Sequence, residues 1–254
     1  MRACTKVAVL VAAFLLFLQG CASNTAMPVT DEFWQDPRPV VGVALTTVPK
    51  PQVRLRTMYS SGMRVPRILF GPDEGDRDNE ERIITEADQM RLERLLRGGG
   101  VHDLSQAQNL FVQRLSAQEF SAVAIPKSID LEDLPDYKPE TNGYARRDFR
   151  GVLQGRGLDR LIVLQVRWNG VYCHYMGRTN DLTEAAVTVT GKMIDLATNR
   201  LLWRTSDKDG TIRKTIECTC ESPADTESIL EELNALFDDA ADLLTADFFA
   251  NAPE

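Results

Sequence analysis

Histidine is almost absent from this 254-residue chain, occurring only as His102 and His174. It is the side chain most often used for acid–base work near neutral pH and for metal ligation, so few such centres can be built. There is no Gly-x-Ser-x-Gly elbow and no Ser-x-x-Lys pair to make a serine nucleophile. The triplet Gly98-Gly99-Gly100 lacks the Lys-Ser/Thr that completes a phosphate-binding loop, and it follows a helical segment instead of a strand. No Cys-x-x-Cys pair occurs. Asp and Glu are plentiful, but no two are set apart as acid and base. No apolar run reaches the roughly 20 residues of a membrane-spanning helix. Basic residues are outnumbered, 29 Lys+Arg against 37 Asp+Glu, and that acidity argues against nucleic acid as a partner. The expectation is a non-enzyme that needs no cofactor and holds no metal.

What is present begins at the N-terminus. Arg2 and Lys6 precede an apolar stretch from Val7 to Leu18, and Leu18-Gln19-Gly20-Cys21 follows. A basic start, a short apolar core and a small residue before a cut describe a secretory signal. The four residues ending at Cys21 resemble the lipobox of bacterial lipoproteins, with Gln19 standing where that family usually has a small or branched residue. The resemblance implies cleavage before Cys21, a diacylglyceryl thioether on its sulfur and an acyl chain on its nitrogen. Two or more chains anchor a protein stably, so the membrane becomes a partner through Cys21. Ala22 follows; the family's sorting rule then implies the outer membrane, periplasmic face. The expected division is a signal peptide over 1–20, a lipidated tether over 21–39 and one periplasmic domain over 40–254. The tether holds Pro28, Pro37 and Pro39 among polar residues and would extend to roughly 60 Å. Phe33 and Trp34 interrupt it and are expected to fold back onto the domain.

Beyond Cys4, in the signal, and Cys21, three cysteines remain: Cys173, Cys218 and Cys220. An oxidising compartment favours pairing. Cys218 and Cys220 lie two apart on an extended segment, where a bridge is awkward, so Cys173 is expected to pair with one of them. Cys173-His174 with Cys218-x-Cys220 has a composition that suits tetrahedral zinc, but the missing Cys-x-x-Cys spacing and the compartment weigh against it. Trp168, Tyr172, Tyr175 and Met176 cluster around Asn169-Gly170, read as a link. Such residues favour protein interfaces; the other reading is that they cover a sheet edge or pack around the disulfide.

Hydrophobic patterning places strands at Val40–Leu45, Val53–Tyr59 (a strand or an exposed hairpin arm), Ile68–Phe70, Phe120–Ile125 and from Leu161. The charged, Gly- and Pro-containing stretch Gly71–Arg82 reads as a loop. Alternation from Ala185, a turn at Ala197-Thr198-Asn199, Leu201–Trp203 and then Thr211–Ile216 read as an antiparallel meander. Helices are expected over Thr85–Arg97, after a cap at Asp103 with Gln106 in the capping-box position, and over Tyr144–Gln154. A long amphipathic C-terminal helix is started by Ser222, Pro223 and Asp225. Its apolar stripe is Ile229, Leu233, Phe237, Ala240, Leu244 and Phe248. The fold class is therefore α/β: a mixed sheet of about five strands flanked by helices.

The stretch from Ile162 through Trp203, ending in Ile194-Asp195-Leu196-Ala197-Thr198-Asn199-Arg200-Leu201-Leu202-Trp203, resembles periplasmic lipoprotein domains. These are the domains related to the curli-secretion lipoprotein and to the lipoprotein activators of penicillin-binding proteins. The resemblance implies a domain that docks or regulates another envelope protein. A lipid-anchored hydrolase or peptidoglycan-modifying enzyme, and a small-ligand carrier, are the alternatives.

Overall fold

The structure, a computed structural model, describes residues 26–35, 37–57, 86–139, 143–175, 182–206, 210–216 and 226–253. Cys21, Met176, Cys218, Cys220, the expected strand at Ile68–Phe70, the loop Gly71–Arg82 and the expected cap at Ser222, Pro223 and Asp225 lie outside the described residues, as do the side chains of His174 and Tyr175.

A mixed sheet of seven strands carries three α-helices among the described residues: the expected α/β class, with seven strands in the sheet where about five were expected. The strands are β1 (Val41–Leu45), β2 (Gln52–Thr57), β3 (Ala122–Ala124), β4 (Arg160–Tyr175), β5 (Leu182–Asp195), β6 (Leu201–Arg204) and β7 (Thr211–Ile216). The helices are α1 (Glu86–Gly98), α2 (Ser105–Ala117) and α3 (Thr226–Phe248). β1 lies parallel to β3 and to the first part of β4, with Val41 opposite Arg160. β2 is no hairpin arm: it runs parallel to the far part of β4, from Gln52 opposite Gly170 to Thr57 opposite Tyr175. β5 is antiparallel to β4 along nearly its whole length. β6 and β7 both pair with β5, at Lys192–Ile194 and Thr183–Thr188 respectively.

The long β4–β5 ribbon is broken once, by a shift in register between Val166 and Trp168. Arg167 is the extra residue, and a bulge inverts which side chains face which way. Before it, Ile162, Leu164 and Val166 enter the main core; beyond it, Val171 and Cys173 do so. Asn169-Gly170, expected as a link, therefore lies inside β4, because the strand bends at the bulge without ending.

The main core packs α2 and α3 on one face. The stripe Leu104, Ala107, Phe111 and Leu115 is buried, and so is the whole expected stripe of α3 from Ile229 to Phe248. Trp203 is fully buried and its indole N–H donates to Asp247 on α3 at 2.9 Å. Room for that ring comes from Gly191, where any Cβ would lie 2.1 Å from it. Gln108 ties α2 to the sheet by donating to the carbonyls of Val43 and Ile125 at 2.7 and 3.1 Å. Asp103 does not occupy the cap position, which is Leu104; its carboxylate accepts the Ser105 N–H at 2.8 Å. Gln106 is exposed.

The opposite face of the first half of the sheet is covered by irregular chain over 125–139 and 143–158, which packs Ile125, Ile129, Ala145 and Phe149 on Leu161, Val163 and Ile194. The expected helix at Tyr144–Gln154 is not formed. Asn199 is fully buried; it accepts the Phe149 N–H at 3.0 Å and donates to the carbonyls of Ala145 and Arg147 at 3.2 and 2.9 Å. The Ala145 N–H donates to the Asn199 carbonyl at 3.0 Å, and Tyr144 bridges to Arg200. Backbone groups satisfied sideways are not available for i to i−4 bonds. Asn199 has φ 64°, a conformation that asparagine tolerates.

The N-terminal segment is part of the domain. Met27 and Arg204 exchange backbone hydrogen bonds of 2.8 and 3.0 Å. Val29 is buried, and a 3-10 turn at Asp31–Trp34 buries Phe33 and Trp34. Phe33 stacks on Phe120 at 4.8 Å and meets Phe248 edge-on at 5.9 Å; Trp34 meets Phe120 and Phe248, each at 5.8 Å. The folding back of these two residues is thus as the sequence suggests.

Two substitutions test these contacts. Phe33→Ala should lower unfolding free energy by about 3 kcal/mol in urea titration, whereas a change at exposed Gln35 should move it by less than about 0.5 kcal/mol. Asn199→Ala should cost about 3 kcal/mol and speed hydrogen exchange at the Phe149 amide, because it strands two buried backbone groups and one part-buried one.

Candidate interaction face and a buried lysine

Past the bulge, β4 turns Trp168 and Tyr172 to the face opposite α2 and α3, where they form a small cluster with Ala186. Four residues along a strand span about 13 Å, yet these rings stack with centroids 4.7 Å apart. Between them lies Gly170, whose lack of a side chain lets the rings lean together. Gly170 has φ 145°, and a Cβ there would sit 1.9 Å from the Gln52 carbonyl oxygen. The same glycine therefore admits β2 to the sheet.

Neighbouring strands extend the ring pair into a row. Arg54 on β2 lies over the Trp168 ring at 5.0 Å, and Arg213 on β7 lies over the Tyr172 ring at 5.4 Å. Gln52 accepts the Trp168 indole N–H at 3.0 Å, and Glu184 on β5 pairs with Arg213 at 3.0 Å. Arg54 and Arg213 are exposed while the rings are 8% and 7% exposed. Each guanidinium is thus held on an aromatic face, an arrangement that keeps the cation ordered at the surface. Of the four aromatic and methionine candidates, the structure brings Trp168 and Tyr172 together. The flanking Arg54, Arg213 and Gln52 were not legible as candidates, because they sit on β2 and β7, strands far in sequence from Trp168 and Tyr172 whose pairing with β4 and β5 leaves no local signal.

Cys173 is buried beside this row but on the core face. Among the described residues, no three His, Cys, Asp or Glu side chains gather where they could hold a metal ion. His102 is exposed, its backbone N–H donating to Asn234 at 2.8 Å. An open groove of about 840 Å³ lies between the end of α1 and the start of α3, with Leu95 and Leu230 flanked by Arg94, Glu227 and Glu231.

In sequence Lys192 belongs to the set that alternates with Val187, Val189 and Met193 along β5. It is in fact largely covered, its Nζ 5.1 Å from the Phe149 ring centroid. Burial, with a smaller contribution from the charge of Arg167, lowers its pKa from 10.5 to about 8. Among the described residues no carboxylate pairs with it. The protonated amine therefore costs stability at neutral pH. Because the folded pKa lies below the unfolded one, the unfolded chain binds more protons between pH 8 and 10.5, and stability rises with pH through that window. Lys192→Met should stabilise the domain by roughly 2–3 kcal/mol at pH 7, and the gain should vanish above about pH 10.5; urea titrations at the two pH values check both.

No family model matches the chain, and no curated protein matches it. Among solved structures it is similar to a lipoprotein from Neisseria meningitidis, at 8% identity and TM-score 0.30, over 79% of this chain and 99% of that one. It is similar to a Helicobacter pylori protein described as a homolog of the neuraminyllactose-binding hemagglutinin, at 9% identity and TM-score 0.33, over 84% of each chain. A Xanthomonas campestris protein of the family DUF330 aligns at 13% identity and TM-score 0.29, over 88% of this chain and 92% of its own. Overlaps this loose transfer no function. Among the described residues no helix is long and apolar enough to cross a membrane.

Proposed function

We propose that this protein is a lipid-anchored envelope lipoprotein, held by Cys21 on the periplasmic face of a bacterial outer membrane, whose domain docks another envelope protein and performs no chemistry of its own. The observation that carries the reading is the N-terminal run from Arg2 to Cys21, a basic start and short apolar core ending in Leu-Gln-Gly-Cys. Docking is supported by the row Arg54–Trp168–Tyr172–Arg213, whose exposed arginines stand on buried rings. Arginine and aromatic side chains dominate binding hot spots, and this row presents fixed cations to carboxylates of a partner.

An oxidising compartment also fits the cysteines. Cys173 is not a free thiol, and we infer that its partner is Cys218 or Cys220. Across the sheet, Cys173 lies opposite Thr183, and Thr183 lies opposite Ile216, which precedes Cys218 by two residues in sequence.

The test is cross-linking in living cells with three chains: native, Cys21→Ala, and Arg54→Glu with Arg213→Glu. Charge reversal at exposed positions spares the core, which Trp168→Ala would not. The expected result is one recurrent envelope partner, reduced at least tenfold by the arginine pair, and loss of membrane fractionation with Cys21→Ala. A partner captured equally by the arginine variant would overturn the docking face, and a Cys21→Ala chain still in the membrane fraction would overturn the anchor.

A further inference from the structure

The docked N-terminal segment changes how far the domain can stand from an anchor at Cys21. Only Ala22 to Ala26 separate that cysteine from Met27, which is already bonded to Arg204. At about 3.5 Å per residue this permits about 20 Å, against roughly 60 Å for a tether free to Pro39. The attachment is firm along its length. Met27 pairs with the outer edge of β6; Val29, Phe33 and Trp34 fill the core; Arg38 pairs with Glu119 at 2.6 Å. The Val40 N–H donates to Asp159 at 2.8 Å, and the Asp159 N–H donates to the Val40 carbonyl at 2.9 Å. The segment thus starts at the β6 edge and ends in the sheet interior as β1.

We propose that residues 27–35 are a strap that sets the height and the orientation of the domain on its membrane, turning the β6–β7 edge of the sheet toward the lipid surface and the β3 edge away from it. This rests on the lipid anchor proposed above. Met27 is antiparallel to β6, so going back from Met27 to Ala26 the backbone runs toward Thr205, at the end of β6 from which the chain continues to β7. β3 is four strand spacings from β6 in the order β3-β1-β4-β5-β6, about 19 Å. With a leash of about 20 Å fixed at one margin, the β6 margin is held within that reach of the bilayer, while the β3 margin is free to stand up to about 19 Å farther out. The occupant of the β6–β7 side is a lipid surface because the chain that emerges there ends, within a few residues, in the proposed lipid.

The test separates the strap from the anchor. In the lipid-free chain starting at Ala22, the backbone amides of Met27 and Arg204 should exchange at least a hundredfold more slowly than that of exposed Ala26; equal rates would overturn the strap whatever Cys21 carries. The lipidated protein is then placed on phosphatidylethanolamine–phosphatidylglycerol vesicles containing an acceptor dye, with a donor on an encoded reactive residue at Thr215 (β7) or at Val123 (β3), both exposed. Transfer from Thr215 should exceed that from Val123 at least twofold. Insertion of about twelve Gly/Ser residues after Ala22 lengthens the leash without touching the fold, and should abolish the difference. Equal transfer from both positions in the native chain would overturn the orientation. A chain that carries no lipid and fails to bind vesicles would overturn the anchor while leaving the exchange result to judge the strap.

Discussion

The bulge at Arg167 is the constraint from which the rest follows. In a sheet strand alternate side chains face opposite ways, and sixteen residues of β4 with unbroken alternation could serve only one division of inside and outside. One inserted residue lets the strand serve two. Below it, even-numbered residues fill the core against α2 and α3, and odd-numbered ones meet the irregular cover over 125–139 and 143–158. Above it, the parity reverses, so that Cys173 enters the core while Trp168 and Tyr172 come to the other face. Without Arg167 as an extra residue, two large rings would be driven into the helix packing and Cys173 would be turned out of it.

The ribbon also organises the ends of the sheet. Because β6 occupies only one end of the outer edge of β5, the other end remains for β7, and the N-terminal segment can close on the outside of β6 at Met27. Phe33 and Trp34 then complete a group of rings with Phe120, Phe248 and Phe249. Aromatic contacts of this kind add to the burial of their area, and they join the two chain termini of the described domain in one cluster.

Elements with strong local patterning were legible in the sequence. The buried runs that became β1 and β4 and the stripes of α2 and α3 lie where period alone places them, because each buries a continuous face. The segment Tyr144–Gln154 has helical composition, yet Asn199, some fifty residues away, takes its backbone hydrogen bonds. Tertiary competition of this sort leaves no trace in a local window. Lys192 shows a related limit: alternation says which side of a strand a residue faces, not whether that side is covered. The candidate row was half legible. Trp168 and Tyr172 announce themselves by type, but their stacking depends on Gly170 and their arginine neighbours on strands distant in sequence.

The bridge at Met27 has a further consequence, for chains crowded on a surface. Confining molecules to a plane raises their rate of encounter, and the exposed margins of sheets are where encounters become permanent. On one side that margin, at β6, is already taken by the chain's own backbone. At the opposite end of the order β3 offers only three residues, which leaves the outer edges of β2 and β7, six residues each, as the longer margins. A strap that limits reach would thereby also act as a chaperone in cis, capping a margin of the sheet before a neighbour can add a strand to it.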